Sequence, residues 1–347
     1  MTSDSGSLRF FTSRDADPQA LKGERVAVVG YGVLGRTVAL NLRDSGVGLV
    51  AVGNAADGYA EQARAEGFRV LPIGQAVAEA DVILVLLPDE VISEVFAAEI
   101  APNLRPGSAI VFASGYTLAY GLLVPPPDVD VLLLAPRMAG ENARQRYLDK
   151  EGFFACVSVE QEVSGRAWKR LLGLAEAVGV LWAGALELDA RQEADLDLFI
   201  EQTMGAVIGV AILSAFSIGV EAGIPPEALV MEMYMSGEME TVFRSFRELG
   251  FYRASDTHGP TALYGGYVRT MEWLTSDLSD RFRQALDEIR SGEFARQFQA
   301  ERDAGYPSLS QARAMTAEES PFTQPVVQAE ARLRAAMNQG GKPADAQ

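Results

Sequence analysis

This sequence predicts a doubly wound α/β domain followed by an all-α domain, and three observations carry that prediction. Residues 25–35, RVAVVGYGVLG, place a β-branched apolar run directly before a glycine-rich turn and a helical stretch. Short buried-strand patterns then alternate with helical ones as far as about residue 183. Beyond about residue 186 the strand-like runs stop, and long stretches at helical spacing take over. The implied divisions are a polar lead-in over 1–24, an α/β domain over 25–186, a helical domain over 187–334 and a disordered tail over 335–347.

Arg25–Val29 reads as a buried parallel strand and Val33–Leu42 as the helix after it. Gly30, Gly32 and Gly35 between them form G-x-G-x-x-G, the turn of a Rossmann domain. The first glycine permits the tight turn, the second lets backbone approach a pyrophosphate, and the third lets helix and strand pack closely. Gly30, Tyr31, Gly32, Val33, Leu34 and Gly35 are therefore candidate cofactor contacts. Gly48–Gly53 is a second strand and Tyr59–Glu66 a second helix, with Phe68–Leu71 short and extended. Val82–Leu87 is a strong buried strand ended by Pro88, and Glu90–Ile100 is helical. Ser108–Ala113 and Val129–Ala135 are further strands. Phe154–Val159, a helix over Ser164–Val178 and a strand near Val180–Ala183 complete the domain. This rhythm predicts a parallel sheet covered on both faces by helices. Helical stretches follow at 190–222, 226–248, 261–291 and 293–303. Within the first, GAVIGVAILSAFSIGV (205–220) is apolar nearly all round. It should be buried on every side, against partners that include another subunit.

The 347 residues carry 47 acidic and 30 basic side chains, a net charge of −17. That balance argues against nucleic acid or an anionic membrane as a partner. Cys156, the single cysteine, excludes an internal disulfide and suits a reducing compartment; in FFACVSV it reads as a buried thiol. The start, MTSDSGSLRF, lacks a basic region followed by an apolar core, and no uninterrupted apolar run approaches a membrane span. A soluble cytoplasmic protein acting on a small molecule is the expectation.

In such a sheet, ligands lie beyond the carboxyl ends of the strands. Three ends stand out: Leu86-Leu87-Pro88-Asp89-Glu90, Ala113-Ser114-Gly115 and Ala135-Pro136-Arg137. Leu87, Pro88, Ser114 and Gly115 are accordingly assigned to the cofactor, together with Asn54 and Asp57 in GNAADGYAEQ. Residues 53–63 contain no basic side chain to meet a 2′-phosphate, whereas Asp57 can accept hydrogen bonds from a ribose diol. NADH is therefore expected over NADPH. In the helical domain, Asp197 and Glu201 form an i, i+4 carboxylate pair, for which a solvated face is the plain alternative. Glu232 stands among methionines in MEMYMSGEME.

From roughly Phe10 to Ala314 the chain resembles the ketol-acid reductoisomerases. The stretches that carry the resemblance are VAVVGYGVLG, ALNLRDSGV, EGFRVLPIGQAVAEADVILVLLPDEV, EIAPNLRPGSAIVFASG, VPPPDVDVLLLAPR, DLDLFIEQ and SGEFARQFQAE. The resemblance implies a Rossmann domain and a knotted helical domain, with the helical parts of two subunits forming the active sites of a homodimer. It also implies two magnesium ions, held by an aspartate and a glutamate on one helix and two glutamates on another. Asp197 and Glu201 match the first pair, and Glu232 matches the first glutamate of the second.

Three positions depart from the family. Ser114 replaces a histidine, Arg137 a lysine, and Ser236 the last glutamate. Glu238 would lie ~200° further round a continuous helix than Ser236 and so could not simply substitute. Ser255 matches a substrate-contacting serine in a loop that carries extra residues here. His258, the one histidine, reads as a surface residue with proton donor as the sharper alternative, and Tyr264 as packing.

Alkyl migration needs metal ions on the substrate oxygens, whereas hydride transfer needs a positioned nicotinamide and a donor. The three departures therefore point to a reductase that has lost the migration. An imine is the preferred substrate, with Asp197, Glu201 and Glu232 stabilising a cation and any magnesium short of a two-ion set. The alternatives are a reductase of a 2-keto acid or ketone, with Arg137 holding the carboxylate, and a genuine magnesium-dependent ketol-acid reductoisomerase. A silent nucleotide-binding scaffold is a third class.

Overall fold

Nine strands form one sheet in the computed structural model, which describes residues 9–138, 140–255, 259–274 and 277–339. They are β1 (Phe10–Phe11), β2 (Val26–Val29), β3 (Leu49–Gly53), β4 (Val70–Leu71), β5 (Val82–Val85), β6 (Ala109–Phe112), β7 (Asp130–Pro136), β8 (Ala155–Gln161) and β9 (Ala185–Glu187). Their order is β1-β9-β8-β7-β6-β5-β2-β3-β4. Strands β2 to β7 pair in parallel and β8 pairs in parallel with β9.

The sheet is mixed, because β7–β8 and β1–β9 are antiparallel. The reason lies in the connection after β7. Its helix, Gly140–Leu148, has nine residues and rises only about 13 Å, whereas β7 has seven residues and runs about 23 Å. The chain turns through Lys150 and Gly152, both at positive φ, and enters β8 from the same end. The strand expected near 180–183 is a turn, and β9 follows it. The lead-in contributes β1, which adds to the sheet edge beyond the expected core.

Alternation along the strands divides the core between the two faces. Val26, Val28, Leu84, Val111 and Leu132 pack on one side. Ala27, Val29, Ile83, Ile110 and Leu133 pack on the other, against α3 (Ile73–Glu79). At the opposite end of the sheet from the strands' carboxyl termini, buried Arg170 joins Glu24 at 3.2 Å and Asp130 at 3.0 Å.

The chain divides into two compact units, Met1–Asp197 and Leu198–Gln347. The division falls inside a continuous helix, Ala190–Glu221, rather than at a loop. That helix comprises α8 (Ala190–Ile200), a π-helical turn at Glu201–Gly205 and α9 (Ala206–Glu221). It is long and apolar enough by length and composition to cross a membrane, which amends the reading that no such run exists. Burial on every side is not supplied by its own chain. Only Phe216 and Gly219 of α9 are buried, and Val210 and Ile218 are 63% and 64% exposed.

The second unit is otherwise helical: α10 (Pro226–Val230), a π-helical turn at Met231–Met235, α11 (Glu238–Leu249), α12 (Phe251–Ser255), α13 (Pro260–Leu274), α14 (Leu278–Arg290), α15 (Glu293–Asp303), α16 (Pro307–Met315) and α17 (Gln324–Gln339). Phe216, Val230 and Ala329 form its small core. Helix α17 continues into the segment read as a tail; residues 340–347 lie outside the described ones.

Candidate active site

The turn between β2 and α1 (Val33–Asp44) shows why each glycine is required. Gly30 has φ +94°, and a Cβ there would lie 2.5 Å from the Leu86 carbonyl oxygen. A Cβ on Gly35 would lie 2.0 Å from the Gly30 carbonyl oxygen, so strand and helix can approach only without it. A Cβ on Gly32 would meet nothing within 4 Å. It faces open space, where a phosphate needs the backbone bare. Helix α1 has no side-chain N-cap and no acidic residue in its first turn, so its leading amides are left for an anion.

This turn forms one wall of a cleft of about 730 Å³ at the carboxyl ends of the central strands. Gly30, Tyr31, Gly32, Val33, Leu34, Asn54, Asp57, Leu87, Pro88 and Ser114 all line it. Asn54 Oδ1 accepts the Tyr31 amide at 2.9 Å, and Asn54 Nδ2 donates to Asp57 Oδ1 at 2.9 Å. Asp57 Oδ1 also caps α2 (Gly58–Ala65) by accepting the Ala60 amide at 3.0 Å. The cofactor loop is thus braced from within. At the rim, burial pushes the Asp89 carboxyl up to about 6, and Glu90, Glu193 and Asp197 add to the shift.

Gly35 and Gly115 do not line the cleft, and both sit at close backbone approaches. Gly35 is covered by the Gly30 carbonyl. A Cβ on Gly115 would lie 2.1 Å from the Ala190 carbonyl oxygen, so this glycine admits the start of α8. Its amide donates to Glu193 Oε2 at 2.7 Å. Ser114 Oγ accepts the Tyr116 amide at 3.2 Å beside it.

Glu193 is a site residue that the sequence pattern alone does not single out. Its side chain is 1% exposed, and burial pushes its carboxyl up. Arg137 answers it, with one guanidinium nitrogen 2.6 Å from Glu193 Oε1 and the other 2.8 Å from Asp197 Oδ1. The signal that could have found it is a third carboxylate at the same spacing: Glu193, Asp197 and Glu201 recur every four residues. Like charges so placed on one helix face need a cation, and Arg137 supplies it to Glu193 and Asp197.

In the second unit, Glu201 opens the π-helical turn at Glu201–Gly205 and Glu232 lies in the one at Met231–Met235. Such turns interrupt the regular helix and frequently occur at functional sites. The continuous helix assumed for Glu238 is broken. Gly237 has φ +79° and is the N-cap of a new helix, and Ser236 Oγ accepts the Glu238 amide at 3.2 Å. The ~200° argument against Glu238 therefore does not apply. Among the described residues, no three His, Cys, Asp or Glu side chains gather closely enough to hold a metal. Asp197 is paired with Arg137, and position 236 carries a neutral serine in place of a carboxylate. Tyr264 is 74% exposed on α13, Ser255 closes α12, and His258 lies outside the described residues.

Fold and cleft define a Rossmann protein built to bind a dinucleotide. Comparison with known proteins narrows this. Residues 20–184 match the family described as acetohydroxy acid isomeroreductase, NADPH-binding domain, and residues 191–339 match ketol-acid reductoisomerase, C-terminal domain. The chain is 38% identical to a ketol-acid reductoisomerase (NADP(+)) of Pyrobaculum arsenaticum, over 87% of this chain and 92% of that one. A counterpart from Pyrobaculum aerophilum is 37% identical over the same shares. The solved structure of an NADH-preferring ketol-acid reductoisomerase from an uncultured archaeon superimposes with a TM-score of 0.87 at 31% identity, covering 94% of this chain and 98% of that one.

The chain belongs to the ketol-acid reductoisomerase family, and it is an oxidoreductase that uses a nicotinamide cofactor. The expectation of an imine reductase that has lost the migration is overturned. Relatives sharing 37–38% identity across both units are named ketol-acid reductoisomerases, and the three departures do not outweigh that shared framework.

Proposed function

We propose that this chain is a ketol-acid reductoisomerase, isomerising and reducing a 2-acetohydroxy acid with a nicotinamide cofactor. The observation that carries this reading is the row of groups at the carboxyl ends of the strands. Gly32 opens the phosphate turn, and Ser114 reaches the same cleft. Next to Ser114, Gly115 donates its amide to Glu193, which in turn holds Arg137. Ser114 receives the Tyr116 amide on its oxygen, which leaves its proton to donate to a substrate oxygen. The guanidinium of Arg137 fixes positive charge beside Asp197, where negative charge on a substrate would be stabilised.

NADH is the preferred cofactor in this reading. Both hydrogen bonds to Asp57 land on Oδ1, leaving Oδ2 to a ribose diol, and no basic side chain occurs over 53–63. The structural neighbour described as NADH-preferring is consistent with this. A second copy covers the apolar surface of the helical unit, where α9 and α13 expose Val210, Ile218, Met271 and Trp273. The buried Cys156 suits a cytoplasmic enzyme.

The test is oxidation of NADH and NADPH with 2-acetolactate and with 2-ketopantoate, each with magnesium or with EDTA. Acetolactate turnover that EDTA abolishes, faster with NADH, is the expected result. No acetolactate turnover under any of these conditions would overturn the reading.

A further inference from the structure

We infer that Arg137 is the resident cation of this active site, paired with Asp197 in place of a divalent ion, so that each chain holds at most one such ion. The inference rests on the function proposed above. Its basis is the way Arg137 is anchored. Glu193 is 1% exposed and takes the guanidinium on one oxygen and the Gly115 amide on the other, at 2.6 and 2.7 Å. A buried carboxylate needs such a partner permanently, so the guanidinium is held whether or not Asp197 is occupied.

The planar fork then presents its second nitrogen to Asp197 Oδ1 at 2.8 Å. A divalent ion on that oxygen sits at ~2.1 Å for magnesium. It would lie within about 5 Å of the fixed guanidinium nitrogen, positive against positive. A lysine, a point charge on a flexible stem, can swing clear of such an ion. An arginine engaged by both nitrogens cannot do so without abandoning Glu193.

Binding of Mn²⁺ to the NADH-saturated protein, followed by the electron paramagnetic resonance of free Mn²⁺, tests this without reference to turnover. Wild type is expected to take up no more than one Mn²⁺ per chain. Asp197→Asn should leave that uptake unchanged within twofold, and Arg137→Ala, by releasing two carboxylates, should gain one further Mn²⁺. Two Mn²⁺ per chain in wild type, or tenfold weaker uptake in Asp197→Asn, would overturn the inference. Asp197→Asn alters an exposed side chain, so it carries the test even if Arg137→Ala does not fold. Failure of acetolactate turnover would strike the proposed function and leave these stoichiometries readable.

Discussion

Replacing Gly115 by alanine should damage stability and chemistry together while sparing the cofactor. The added Cβ would stand 2.1 Å from the Ala190 carbonyl oxygen, and real contacts of this kind stay beyond 3.0 Å, so the start of α8 must retreat by about 0.9 Å. Glu193 lies one turn further on the same helix. If it moves equally, its 2.7 Å hydrogen bond from the Gly115 amide stretches to about 3.6 Å, which is no longer a hydrogen bond. Overpacking costs about 1–3 kcal/mol, and a lost bond to a buried charged group about 1.5–3 kcal/mol. The two overlap, because relieving the first causes the second, so a net loss of about 3 kcal/mol is expected. Urea denaturation at pH 7.5 measures it. With Arg137 displaced alongside Glu193, kcat should fall at least tenfold, whereas NADH Kd should change less than threefold, because the phosphate turn is built by β2 and α1 and Gly115 does not line the cleft. A stability loss under 1 kcal/mol with kcat unchanged would refute the role given to this glycine.

Other substitutions probe the remaining parts. Gly32→Ala meets no protein atom, so the urea midpoint should hold while NADH binding weakens at least tenfold; fluorescence titration with NADH checks this. Asp89→Asn should stabilise the protein above pH 6. The folded carboxyl titrates at about 6 against an ordinary 3.8, so between these values the folded state binds more protons and stability falls as pH rises. The full two-unit shift corresponds to about 3 kcal/mol, and access of the cleft to water reduces the expected gain to about 1–2 kcal/mol. Thermal melts at pH 4 and pH 7.5 should show the benefit only at the higher pH. An equal effect at both would exclude it. Arg170→Met takes the guanidinium from buried Asp130 and leaves Glu24 with Arg166 alone, and should cost about 3 kcal/mol in a urea titration. A loss under 1 kcal/mol would mean that water reaches them.

Local pattern makes much of this molecule legible in the amino-acid sequence. The strands at Val82–Val85 and Ala109–Phe112, the glycine turn and the helical second half follow from periodicity and backbone sterics, which act over a few residues. Ten of the twelve residues assigned to the cofactor line the cleft, because strand ends and the turn after a strand fix their place. The tertiary structure decided the rest. That β8 runs antiparallel follows from a helix too short to carry the chain back. That Gly115 sits against the start of α8 depends on Ala190, and the pairing of Arg137 with Glu193 joins residues that no local pattern relates. The break at Gly237 undid an argument from helix geometry, because a single residue at positive φ resets the direction of everything after it. Sequence determined what each segment tends to form. Contacts between segments determined what each charged group must neutralise, because burial sets the cost of a charge and only the folded chain sets burial.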